Sequence, residues 1–130
     1  MISITSKSPY ALSALVELHQ RGDCGPVPIG ELARRREIPA QFLEQLFAVL
    51  RRAGILRSQR GVKGGYSFAR PANELTVLEL VELLDGPVGA GARGVFADAA
   101  RAVRDVLADS TIADVAEAES RAAGAVMYHI

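Results

Sequence analysis

Residues 39–68 change hydrophobic period partway along, and that change limits what the chain can become. Leu43, Leu46, Phe47 and Leu50 recur at helical spacing and form one apolar stripe. Pro39 suits the first helical turn, where its missing N–H is not needed. Gly54 after Ala53 suits a helix stop, and Arg51 and Arg52 complement the negative end of the helix dipole. The opposite face carries Gln41, Glu44, Gln45, Ala48 and Arg52, a polar surface able to exchange hydrogen bonds with base edges. Two short strand-like runs follow, over 55–58 and 66–69. They flank Gln59-Arg60-Gly61-Val62-Lys63-Gly64-Gly65, a glycine-rich basic loop. Helix, strand, basic loop and strand predict a recognition helix followed by a wing.

The flanks agree with that reading. A first helix is expected over 10–20, opened by Ser8-Pro9, with Leu12, Leu15, Val16 and Leu18 apolar. A short helix over 30–36 turns Ile29, Leu32 and Ala33 inward, and Glu37-Ile38-Pro39 links it to the next helix. Two helices joined by so short a turn predict a helix-turn-helix. After a turn at Pro71-Ala72-Asn73-Glu74, Thr76 and Glu79 have capping-box spacing for a helix over 77–84. Leu75, Leu78, Val81 and Leu84 give its stripe, and Asp85-Gly86-Pro87 ends it. Residues 88–94, with Gly89, Gly91 and Gly94, read as a mobile connector. A longer helix over 95–108 carries Phe96, Ala99, Ala100, Val103, Val106 and Leu107 on a broad apolar face. The winged unit is complete without it, so a second copy is its natural partner. Ser110 or Thr111 caps a final helix running to about residue 121, followed by the apolar Val126-Met127-Tyr128-His129-Ile130. The expected fold is mainly α with a small β-hairpin, a winged helix-turn-helix plus a long C-terminal dimerisation helix. Residues 1–86 would form the DNA-binding domain, and 87–130 the connector, dimerisation helix and tail.

A formal charge of zero conceals an asymmetry. Residues 1–70 hold eleven basic against five acidic side chains, a balance of +6, and residues 71–130 hold four against ten, a balance of −6. A basic half beside an acidic half points to a polyanion-binding module joined to something else. With no apolar run near the ~20 residues of a membrane span and no signal-peptide pattern, the expected location is cytoplasmic. One cysteine, Cys24, makes neither an intramolecular disulfide nor a metal site by itself, and as a redox switch it lacks a resolving partner. His19 and His129 have no ligand spacing, so no metal or other cofactor is expected. Gly61, Gly64 and Gly65 do not make a phosphate-binding P-loop, because no Gly-Lys-Ser/Thr opens a helix there. No nucleophile–base pair or carboxylate dyad suggests an enzyme. The non-enzymatic alternative is a protein-interaction module that no longer binds DNA. Within the regulator reading, Gln41 and Gln45 pair with adenine, Glu44 accepts from cytosine, Arg51 meets phosphate and Arg60 enters a narrow minor groove, with Arg52 and Lys63 also expected at DNA.

Several segments together resemble the Rrf2 family of bacterial transcription regulators. They are Ser6-Lys7 with Tyr10-Ala11, Gly25-Pro26-Val27-Pro28-Ile29, Phe42-Leu43-Glu44-Gln45-Leu46, Leu50-Arg51-Arg52-Ala53-Gly54 and Arg60-Gly61-Val62-Lys63-Gly64-Gly65-Tyr66. The resemblance is strong over about residues 1–86. It implies a winged-helix homodimer on double-stranded DNA with a palindromic operator. It also adds Lys7, Tyr10, Pro28, Phe42, Gly61, Gly65 and Tyr66 to the expected DNA-contacting set. Many members bind an iron–sulfur cluster through three cysteines in the connector, but Pro87-Val88-Gly89-Ala90-Gly91-Ala92-Arg93 has none. The chain is therefore more similar to the cluster-free branch, which represses cysteine metabolism under control of cysteine synthase and O-acetylserine. Asp85-Gly86-Pro87, Ala102-Val103-Arg104-Asp105-Val106-Leu107 and Val126-Met127-Tyr128-His129-Ile130 match that branch. By the same resemblance Tyr128, His129 and Ile130 are expected to dock on the synthase, with the terminal carboxylate captured as a substrate carboxylate would be.

Overall fold

Apolar periodicity sets the helices, and their stripes meet in one core. A computed structural model describes residues 4–22 and 25–128. The readings of Cys24, His129 and Ile130 lie outside the described residues. Chain order is α1 (Lys7–Gln20), α2 (Ile29–Arg36), α3 (Ala40–Arg52), β1 (Leu56–Gln59), β2 (Gly65–Phe68), a 3-10 turn (Ala72–Glu74), α4 (Val77–Asp85), α5 (Val95–Ala108) and α6 (Ile112–Tyr128). The protein is mainly helical, with one antiparallel hairpin pairing Leu56 with Phe68 and Gln59 with Gly65. Leu43, Leu46, Phe47 and Leu50 of α3 are all buried, and they share the core with Leu15, Leu32, Leu56 and Ile112. Pro39 occupies the N-cap of α3, one residue before the first turn it was expected to enter.

One kind of stop closes both helices of the helix-turn-helix. After α3, Gly54 has φ 80° and Ile55 N donates to Leu50 O at 3.0 Å. After α2, Glu37 has φ 55° and Ile38 N donates to Ala33 O at 2.9 Å. Glycine takes this left-handed conformation freely, whereas a side chain there costs about 1–2 kcal/mol. Burial of Ile38 on the core holds the second turn in place.

The C-terminal half departs from its sequence reading at four points. The apolar face of α4 is wider than the expected stripe: Leu75 and Val81 are buried as expected, Val77 and Leu80 join them, and Leu78 and Leu84 are half-buried against the core. Glu79, Glu82 and Asp85 recur three apart on one side of the helix, and Leu78 lies among them, which keeps it out of the deepest part of the core. Thr76 Oγ1 accepts from Glu79 N at 3.1 Å as expected, but the Glu79 carboxylate pairs with Arg70 at 2.8 Å. The reciprocal capping box lies instead at Thr111 and Asp114, with both bonds at 3.0 Å. The connector read as mobile is pinned. Val88 is buried, its N–H donates to Glu82 at 3.2 Å, and its carbonyl accepts from Arg104 at 2.8 Å. Gly89 presses on α5, where an added Cβ would stand 2.2 Å from that of Ala100. Finally, α6 continues past residue 121 to Tyr128. Its alanines favour helix, and Gly124 costs only about 1 kcal/mol.

A charged seam returns α6 to the winged unit. Glu17 of α1 is buried and accepts from Arg21 at 3.2 Å and Arg36 at 3.0 Å. Arg36 also forks onto Glu119 of α6 with bonds of 3.0 and 2.8 Å. A buried carboxylate is tolerable only with partners of this kind. Helix α5 has no such cover. Val95, Phe96 and Val106 are 72, 59 and 68% exposed, and Ala100 is the helix's buried residue. Among the described residues, no helix is long and apolar enough to cross a membrane.

Candidate nucleic-acid interface

Burying the stripe of α3 turns its other face outward. Gln41, Glu44, Gln45, Arg51 and Arg52 are exposed, and Ala48 is half-buried at the edge. Phe42 is half-buried and meets Tyr10 of α1 edge-on, with centroids 5.7 Å apart. That contact brings the first turn of α1 alongside α3, and Lys7, Phe42 and Gln45 line one shallow groove. The start of α1 is fixed from α4. The Asp85 carboxylate accepts from Thr5 N at 3.2 Å, from Thr5 Oγ1, and from Ser8 Oγ. Burial pushes the Asp85 carboxyl up, but the bonds from Ser8 and Thr5, with the Lys7 charge, outweigh it and hold it below its usual range. Asp85 was read only as a helix end; nothing local in the sequence marks a bond to residues 77 and 80 positions earlier.

The wing is fixed at its base and open at its tip. Val27 and Tyr66 exchange backbone hydrogen bonds of 2.9 and 2.8 Å, which adds a third short edge to the hairpin. The exposed Pro28 follows as the N-cap of α2. The Tyr66 ring lies edge-on to Phe47 at 5.1 Å, tying the wing to the core side of α3. A Cβ on Gly65 would stand 2.3 Å from the Val27 carbonyl, so that glycine is a packing requirement. Gly65 and Tyr66 thus set where the wing sits, while Arg60, Gly61 and Lys63 are exposed at its tip. Val62, which the sequence reading did not single out, is 105% exposed between them. An apolar residue inside a glycine-rich basic loop was the available signal.

Ion pairing sorts the basic residues more finely than their count does. Arg21, Arg36 and Arg70 are committed to Glu17, Glu31, Glu119 and Glu79. Among the described residues, Arg51, Arg52, Arg57, Arg60 and Lys63 have no acidic partner within bonding range. Arg57 lies on the far flank of the hairpin, lining a groove with Gly25 and Pro26. The other four belong to α3 and the wing tip. A polar helix face bracketed by unpaired cations is suited to phosphate at its margins and base edges at its centre.

Comparison with known proteins agrees. The model of the Rrf2 family, described as iron-dependent transcriptional regulators, matches residues 4–118. The HTH-type transcriptional regulator IscR of Cereibacter sphaeroides is 40% identical over 100 residues, 72% of this chain and 64% of that protein. The chain therefore spans less than two thirds of that curated relative's length. Among solved structures, CymR, the global cysteine regulator of B. subtilis, is 28% identical with a TM-score of 0.81, covering 90% of this chain and 98% of that one. IscR of T. potens is 31% identical with a TM-score of 0.82, covering 93% and 90%. The Cereibacter sphaeroides relative is named as a transcriptional regulator. The winged helix-turn-helix, its unpaired cations and the family match over most of its length lead to one conclusion: the chain belongs to the Rrf2 family of transcriptional regulators.

Proposed function

We propose that this chain is a homodimeric repressor that reads a palindromic operator. Helix α3 enters the major groove of each half-site, and Arg60 and Lys63 follow the wing into the adjacent minor groove. The observation that carries the reading is the polar face of α3 with unpaired arginines at its end and on the wing. Gln41 and Gln45 read adenine, Glu44 selects against wrong bases, and Arg51, Arg52 and Lys7 hold phosphate. The exposed face of α5 takes a second copy, so that half-sites lie roughly 34–36 Å or a multiple apart. Residues 1–86 serve DNA and residues 87–130 serve assembly and control.

An iron–sulfur cluster does not fit this chain. A cluster needs several thiolates, and the sequence holds one cysteine, none of it in the connector between α4 and α5. Control through sulfur metabolism fits better, supported by the likeness to the B. subtilis cysteine regulator. In this reading cysteine synthase is the controlling partner and docks on Tyr128, His129 and Ile130, with O-acetylserine competing. Deletion of Ile130 should abolish synthase binding and leave the dimer and operator affinity intact; loss of the dimer instead would make the tail structural.

The DNA reading is tested with an operator selected from random duplexes. Arg60→Ala should cost roughly 1–3 kcal/mol and flatten preference at the A·T-rich flank. Arg51→Ala should weaken specific and random DNA alike and lower the salt slope by about 1. Glu44→Ala should relax specificity while non-specific affinity holds or rises. Parallel losses in all three variants would refute these roles.

A further inference from the structure

The wing tip presents an apolar side chain where turn chemistry favours small or polar ones. Val62 is fully exposed, between Arg60 and Lys63. The loop that carries it is shaped tightly. Gly61 has φ 111°, Gly64 N donates to Gly61 O at 3.0 Å, and a Cβ on Gly64 would stand 2.3 Å from Gln59 O. Valine is also stiff about χ1, so its methyls project as a fixed, blunt tip. Solvent exposure gives such a residue nothing. The cations on either side of it are unpaired among the described residues and are drawn to phosphate on the two walls of a groove.

We propose that Val62 is a specificity-determining residue that gauges the minor-groove floor and rejects guanine there by its 2-amino group. This inference rests on the reading that the wing enters the minor groove. On that floor A·T and T·A show acceptors alone, and G·C adds the N2 amine as a donor. Methyl groups over that amine displace its water and offer no acceptor, leaving a donor unsatisfied. Over an A·T pair the same methyls meet no protruding group. Arg60 supplies attraction to a narrow groove and Val62 supplies exclusion, so the two favour the same base pairs by different means.

The test uses the full chain and the operator selected by wild-type protein. Three duplexes carry A·T, G·C or inosine·C at the pair of strongest A·T preference in the flank; inosine is guanine without the 2-amino group. Affinities of wild type, Val62→Ala and Arg60→Ala are measured by fluorescence anisotropy over one common series of salt concentrations. Wild type should bind the G·C duplex on the order of tenfold more weakly than A·T, within the range for one unfavourable pair. Inosine·C should restore binding. Val62→Ala should remove most of the G·C penalty with its salt dependence unchanged, since no charge is lost. A full penalty retained by Val62→Ala, no penalty in wild type, or inosine·C as weak as G·C would each overturn the proposal. Arg60→Ala separates the two levels. If it loses affinity while Val62→Ala keeps the penalty, the wing reading stands and the role of Val62 falls. If Arg60→Ala changes neither affinity nor preference, the wing lies outside the groove and both fall.

Discussion

Helices α3 and α5 follow the same amphipathic plan and reach opposite outcomes. In α3 the apolar stripe is spent within the chain: Leu43, Phe47 and Leu50 are completely buried. In α5 the stripe is divided: Ala100, Val103 and Leu107 pack on the core, while Phe96, Ala99 and Val106, with Val95, remain exposed. The difference comes from neighbours. Helices α1 and α2 and strand β1 enclose α3, whereas α4 and the connector touch α5 along one edge. An amphipathic helix specifies that something must cover it, and the surrounding topology specifies what. For α3 the cover is the chain's own core, which leaves the polar face free for the DNA proposed above; for α5 the proposed cover is a second copy.

Truncating Phe47 attacks the closed side of this contrast and should have the largest effect. Phe47→Ala opens a cavity in the core and unseats Tyr66 from α3, with an expected cost of about 3–5 kcal/mol in chemical denaturation. Val106→Asp attacks the open side. It should leave the helical circular dichroism of the chain intact and halve its mass by light scattering, at a cost to assembly of roughly 3 kcal/mol. Global unfolding by Val106→Asp would show that α5 is covered within the chain after all.

A smaller effect is expected at the seam that carries the chain back after α5. The hydrogen bond from Arg36 holds the Glu119 carboxyl below its ordinary value near 4.5. A carboxyl held low in the fold contributes stability that is complete above its unfolded value and is lost as pH falls through the folded value. Acidification below pH 4.5 should therefore loosen α6 from α1 and α2, and Glu119→Gln should flatten that limb of the stability curve. Thermal melts from roughly pH 7 to pH 3 would read both, screened by the partial exposure of Glu119. The smallest effect concerns how α3 is set. Glu37→Gly should raise stability by roughly 0.5 kcal/mol, because relief of left-handed strain exceeds glycine's added unfolded-state entropy. DNA affinity should not change.

Local chemistry alone determined a good deal here. Helical spacing in 43–50 placed α3 and its buried face, Gly54 placed its end, and the glycine-rich loop between two short runs placed the wing. All of these are interactions between residues close in the chain, so their periods and stops are written in order. The polar face of α3 was legible for the same reason. Tertiary structure decided what no local pattern encodes. It brought Val77 and Leu80 of α4 into the core beside Leu75 and Val81, through neighbours that lie far off in the chain. It converted a glycine-rich connector from an apparent hinge into a packed turn, because Gly89 and Ala100 meet only when α5 folds back. It divided the arginines into cations spent on Glu17, Glu79 and Glu119 and, among the described residues, cations left without an acidic partner. That division depends on acids brought near from up to 83 positions away, a distance over which sequence pattern carries no geometry.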